Sequence, residues 1–327
     1  MRPQLNAIGV ALCIATAGVT MGNAGAQNYP TKPIRMIVPF ASGGGTDIMA
    51  RVIMPQVDER LGQRIIVDNR TGGGGYIGAE VVTKAPPDGY TLFFTAANIV
   101  MSLELFPKQP VDPLKDFAPV ALLTREPSLL AVHPSMPVKS VKELIALGRA
   151  RPGEINYASG GIGSSSHLNT ELFKMMAKLD FVQIPYSGGT GPAVVGAITG
   201  EAPVIIVPIS AALPQGRAGR LRILAITLPQ RTLELPDVPA IAESLPGFSA
   251  FQWYGVLAPA GTPAKIVDTL NKALTAAMQN PDLRARLARD GALVVDRSTP
   301  QEFAAHMRDE KVKWARVVQV SGAAKAR

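Results

Sequence analysis

Apolar residues recur along this chain at two alternating spacings. Runs such as PIRMIVPF (33–40), RIIVDNR (64–70) and DGYTLFFT (88–95) are short and rich in β-branched or aromatic residues, as strands are. Between the first two, Ile48, Val52, Ile53, Val57 and Leu61 fall at helical spacing. TGGGGYIGAEVVTKA (71–85) reads as a glycine loop followed by a helix. The order βαβαβ predicts a parallel sheet with helices on its faces. The pattern then restarts. SVKELIALGRARPG (140–153) opens with a capping box, Ser140 with Glu143. INYAS, FVQIPY, APVIIVP and LRILAIT read as strands, separated by helices over 164–179 and 190–200.

Two extended runs suit strands that cross between the units: ALLTREPSLLAVHP (121–134) and FSAFQWYGVLAPAGTP (248–263). Three helices follow the second, with Pro263, Pro281 and Pro300 near their starts, where proline costs little, and with a second capping box at Thr299 and Glu302. A chain that crosses twice returns to its first unit. The predicted fold is α/β with a cleft between two lobes: 27–125 and 253–327 form lobe 1, and 126–252 form lobe 2.

The N-terminus reads as a secretory signal over 1–26. Arg2 gives the charged start, Ala7 to Val19 an apolar run too short to span a bilayer, and Ala24-Gly25-Ala26 a cleavage pattern. Leu12 before Cys13 argues against a lipid anchor. The expected mature chain starts at Gln27, lacks cysteine and is exported. Of 327 residues, 47% are hydrophobic and 18% charged, which suits a globular protein. The net charge of +8 is spread along helices that also carry acids, so a nucleic-acid partner is not expected.

Two glycine loops carry the candidate chemistry. IVPFASGGGTDIMARV (37–52) and INYASGGIGSSSHLNTELF (155–173) each lead from a strand into a helix. Glycine lets a ligand approach the backbone, and the helix start offers unpaired amides with about half a positive charge. An anion is the natural guest. Asp47 reads equally as a cap for its own helix or as a ligand contact. GGGTD lacks the P-loop lysine and is not GxGxxG, so nucleotide binding has little support. His133, His167 and His306 lack metal-ligand spacing, and no nucleophile elbow or HExxH pair occurs. A binder is expected, with no cofactor, no metal site and no catalytic residues.

These residues carry a resemblance that covers nearly the whole mature chain. YPTKPIRMIVPFASGGGTDIMAR, GGYIGAEVVTKAPPDGYTL, DPLKDFAPVALL, VHPSMPVKSVKELIALGRARPGEINYAS, GSSSHLNTELFK, LPDVPAIAES and APAGTPAKIV are similar to the solute receptors of tripartite tricarboxylate transporters, the Bug or TctC family. The resemblance implies a monomeric periplasmic binding protein of the type II, Venus flytrap kind. It would take a small organic carboxylate and hand it to the membrane permease subunits of the transporter.

The family's first ligand loop falls on Phe40, Ala41, Ser42, Gly43, Gly44, Gly45, Thr46 and Asp47. A strand-end contact falls on Thr95, Ala96 and Asn98. In the second lobe the loop falls on Ser159, Gly160, Ser164, Ser165, Ser166 and His167, and a turn on Tyr186, Ser187 and Gly188. Two departures stand out. Val207 and Pro208 occupy the strand end where the family commonly has an acid and an asparagine, and Ser42 stands where a proline commonly precedes the glycines. The first departure predicts an apolar cleft wall, where a ligand amine would go unpaired, and a ligand with one carboxylate and an apolar remainder, such as an aromatic or keto acid, rather than aspartate or glutamate. The alternatives are a secreted hydrolase-like enzyme using Ser164, Ser165, Ser166, His167 and Asp47, and a sensor or partner-presenting protein.

Overall fold

The computed structural model describes residues 29–321 apart from 41, 44, 106, 107, 187, 188, 233, 234 and 290. The expected leader at 1–26 with Cys13, and the candidate residues Ala41, Gly44, Ser187 and Gly188, lie outside the described residues.

The first unit runs β1 (Ile34–Val38), α1 (Gly45–Leu61), β2 (Ile65–Asn69), α2 (Tyr76–Thr83), β3 (Thr91–Ala96) and the single turn α3 (Asn98–Met101). The long strand β4 (Phe117–Val132) then leads into α4 (Val141–Ala150), β5 (Ile155–Ser159), α5 (Ser165–Ala177), β6 (Phe181–Pro185), α6 (Thr190–Thr199), β7 (Val204–Pro208), α7 (Ile209–Arg217) and β8 (Arg222–Ile226). The second long strand, β9 (Phe251–Pro259), returns to α8 (Ala264–Ala277), α9 (Pro281–Arg289), the short β10 (Leu293–Val294) and α10 (Pro300–Ser321).

Strand order shows the same design twice. β2, β1 and β3 are parallel neighbours, closed off by antiparallel β9. β6, β5 and β7 are parallel neighbours, closed off by antiparallel β4. β1 and β5 therefore hold equivalent central positions, and the loops that leave their carboxyl ends are the two glycine loops. Open α/β sheets place ligands at such ends.

β4 ties the halves together. Its N-terminal part pairs with β9 and its C-terminal part with β7 and β8. Sixteen residues of strand reach about 50 Å, enough to run through both sheets. Three cores flank this spine. α1 and α8 cover β1 and β3 through residues such as Met36, Phe94, Ile53 and Leu270, while α6 and α7 cover β7 through Ala197, Val207 and Ile209. The third runs unbroken from Phe93 and Trp253 through Phe303 and Trp314 to Leu168 and Phe173. Helix α10 lies along this last core, packed on α3, β4 and α5 alike. Among the described residues no helix is long and apolar enough to cross a membrane.

Helix starts follow the local chemistry. Thr299 and Glu302 form the expected box in full: the Thr299 amide donates to Glu302 Oε2 at 2.8 Å, and the Glu302 amide donates to Thr299 Oγ1 at 3.1 Å. At α4 the Glu143 amide donates to Ser140 Oγ, but the Glu143 carboxylate reaches one residue further back, to the amide of Lys139. Pro281 and Pro300 are the first residues of α9 and α10, and Pro263 caps α8.

Candidate functional site

A cavity of about 680 Å³ opens where the two glycine loops face each other. From the first unit Phe40, Gly43, Gly45, Thr46 and Asn98 line it; from the second come Gly160, Ser164, Ser165 and Pro208. These nine were among the candidate residues. The starts of α1, α5, α6 and α7 all contribute to the wall, through Gly45 and Thr46, Ser165, Thr190 and Gly191, and Ser210 and Ala211. Each presents unpaired amides and the positive end of a helix dipole. Among the described lining residues there is no lysine, arginine or histidine, so backbone amides and hydroxyls supply the attraction for an anion.

Asp47 sits behind the wall, not in it. Its side chain is 2% exposed. It accepts from the Gly43 amide at 2.9 Å, from Asn69 Nδ2 at 2.9 Å and from Arg51 Nε at 2.9 Å. Asn69 Nδ2 also donates to the Phe40 carbonyl, so one buried carboxylate organises both ends of the first loop. Burial opposes its charge, but the Arg51 side chain, the Gly43 amide and the Asn69 side chain outweigh burial and hold the carboxyl below the ordinary aspartate range. Gly43 therefore spends its amide on Asp47 and offers the cavity only backbone surface. At φ +81° it sits in the region where glycine costs least.

The second loop divides its serines by role. Ser164 caps α5, accepting from the His167 amide and donating to the Gly161 carbonyl at 2.7 Å. Ser166 is buried and accepts from the Gly160 amide at 2.9 Å. Ser165 lines the cavity, and among the described residues its hydroxyl makes no protein hydrogen bond of its own. His167 is 3% exposed, and its Nδ1 accepts from the Gly163 amide at 3.2 Å. Burial pushes its pKa down to about 4, so it is neutral. It buttresses the loop.

Several other candidate residues also lie behind the lining. Thr95, Ala96 and Ser159 are fully buried at the ends of their strands, with Ser159 Oγ accepting from Gln183 Nε2. Tyr186 donates its hydroxyl to Glu201, and its ring fills the space above Gly196. Ser42 Oγ lies 3.4 Å from Asp47 and is turned to the loop. Val207, fully buried, points into the core of the second unit, because successive strand residues alternate faces. Only Pro208 of that pair meets the cavity.

The expected apolar wall is corrected here. An acid does enter the cavity, from β4: Glu126, with Ser210, Gln252 and Tyr254 around it. Glu126 pairs with Gln252 across β4 and β9. Its Oε1 accepts from Ser210 Oγ at 2.7 Å, and its Oε2 lies 3.4 Å from the Tyr254 hydroxyl. Burial, reinforced by the Glu126 charge, pushes the Tyr254 pKa well above the ordinary tyrosine value, so this hydroxyl keeps its proton. The sequence signal for the cluster was a short polar interruption, TREPS, in a long and mainly apolar strand, facing the alternation of FQWYG. Ser210 was missed because α7 was not recognised, although Ile209, Ala212 and Leu213 are spaced as one helix face.

A two-lobed α/β receptor with an interlobe site lined by helix starts and hydroxyls is the class that this fold and this cleft define. Residues 49–323 match the model of the tripartite tricarboxylate transporter family receptor, TctC. The chain is 39% identical over 317 residues to protein BugT of Bordetella pertussis, covering 96% of each chain. Among solved structures it resembles R. palustris Rpa4515 with adipate (36% identity, TM-score 0.79, 90% of this chain and 98% of that one). It also resembles MatC of Rhodopseudomonas palustris with bound malate (37% identity, TM-score 0.77, 89% and 100%). The chain belongs to the TctC family of solute receptors.

Proposed function

We propose that the protein is a periplasmic receptor that binds a small organic carboxylate between its lobes and delivers it to the permease of a tripartite tricarboxylate transporter. The observation that carries this reading is the convergence of four helix starts on one cavity whose described lining holds no basic side chain. The adipate and malate held by the two structural relatives support the ligand class. The reading takes residues 27–125 and 253–327 as one lobe and 126–252 as the other, with α10 laid across both, and takes 1–26 as a cleaved export signal. It treats the protein as a monomer with no enzymatic activity. The burial of His167, with its Nδ1 engaged by the Gly163 amide, favours binding over nucleophilic catalysis.

Closure requires a ligand that touches both loops at once, because equal affinity for open and closed forms shifts no population. The lining residues Gly45 and Thr46 on one side and Ser165 on the other would make those contacts. Native mass spectrometry of the purified protein, compared with a denatured sample, tests the reading. The expected result is one organic acid per chain, or, for a protein isolated empty, thermal stabilisation by members of an organic-acid panel. A chain that no carboxylate stabilises refutes it. Ser165→Ala is expected to weaken the bound acid by about 1 kcal/mol, roughly fivefold, with unchanged unfolding, because one hydroxyl hydrogen bond is lost. Unchanged affinity in calorimetry would remove Ser165 from the site.

A further inference from the structure

We propose that Glu126 makes this cleft selective for carboxylates that also carry an ammonium group, and sets it against dicarboxylates. The inference rests on the receptor reading and specifies its ligand. Glu126 is the one acidic or basic side chain among the described residues that line the cavity, and only 5% of its surface is exposed. It projects from β4, the strand that runs through both sheets, so it stands on the cavity floor between the loops.

Two hydroxyls point at its carboxyl group. Ser210, at the start of α7, donates to one carboxylate oxygen at 2.7 Å. The Tyr254 hydroxyl lies 3.4 Å from the other oxygen, and that hydroxyl also stands 3.5 Å from where a Cβ on Gly45 would lie. The negative floor is thus adjacent to the positive start of α1. A cavity with helix starts on its sides and a carboxylate at its base has the charge pattern of a zwitterion: the amides take the ligand carboxylate and Glu126 takes its ammonium. Closing the lobes removes water and strengthens both terms. A second carboxylate at that position would meet a buried like charge, which is how a site rejects as well as selects.

The test uses ligands of one carbon count, measured by calorimetry on the mature protein: hexanoate, adipate and the aminohexanoates with the amine at each carbon from C2 to C6. At least one aminohexanoate is expected to bind tenfold or more tighter than both hexanoate and adipate. Glu126→Gln keeps the shape and removes the charge. It is expected to erase that preference and leave adipate as tight or tighter. Three results would overturn the proposal: a wild-type protein that prefers adipate or hexanoate, an amine preference that survives in E126Q, or no binding by any of the series. Only the last, extended to the wider organic-acid panel, also removes the receptor reading. Should E126Q not fold, the wild-type ranking decides alone.

Discussion

Acidification from pH 7 to pH 4 is expected to cost the protein about 3 kcal/mol of stability through His167 alone. The folded chain holds this imidazole neutral down to about pH 4 by burial, with Lys174 nearby opposing protonation and Glu171 favouring it. The unfolded chain protonates it near 6.5. Between those values the unfolded state binds the extra proton, so stability is complete above the unfolded pKa and falls as the pH drops to the folded one. The gap, at 1.36 kcal/mol per unit, gives the estimate. Asp47 and Asp68 are held below the ordinary aspartate value of 3.8, so their contributions are lost only at lower pH, outside this window. His306 is also lowered by burial, and its contribution must be separated by comparison. Urea unfolding of the wild type and of His167→Asn at pH 7, 6, 5 and 4 makes that separation, since asparagine can still accept from the Gly163 amide. The two stabilities should differ at pH 7 and converge by about 3 kcal/mol toward pH 4. Parallel curves would contradict the buried neutral histidine. The same proton would take the acceptor away from Gly163, so the second loop should loosen where stability falls.

How much of this was legible in the sequence depends on the length scale of the signal. The two glycine loops, most of the strands and the helix starts at Thr299, Pro281 and Pro300 are local. Spacing and capping chemistry specify them within a few residues. The family motifs placed the loops on the correct strands. What the sequence did not disclose is side-chain direction at strand ends and contacts across the fold. Val207 and Pro208 are adjacent, yet one enters the core and the other the cavity. Asp47 looked open between capping and binding. Its dominant partner besides Gly43 and Arg51 is Asn69, from the next strand, and that pairing turned it toward the loop. Glu126, Ser210 and Tyr254 come from β4, α7 and β9; no local pattern joins residues 126, 210 and 254. The missing acid at one strand end suggested an apolar wall, while the acid of the cavity came from another strand.

The crossing strand β9 carries the second large expected effect. Gly255→Ala should destabilise the protein by about 3 kcal/mol, at the upper end of the cost of overfilling a packed core. Gly255 lies opposite Leu122 on β4, between two places where the register of that pair shifts. Bulges of this kind swing backbone over the strand. A Cβ at 255 would sit 2.8 Å from the Ala121 carbonyl oxygen and 2.5 Å from Phe303 Cζ. The carbonyl is held in the β4–β9 ladder. Phe303 is fully buried and stands edge-on to Trp253 at 5.5 Å between ring centroids, so neither neighbour has room to retreat. Urea unfolding of Gly255→Ala beside Gly191→Ala measures the effect, because a Cβ at Gly191 meets nothing within 4 Å. Gly191→Ala should unfold within about 0.5 kcal/mol of the wild type or slightly above it. Equal losses in the two variants would mean that the β4–β9 spine yields to an added methyl. A spine that soft would not hold Glu126 and Tyr254 at the base of the cleft while the lobes move, so the stability of Gly255→Ala bears directly on whether the floor of the site is rigid.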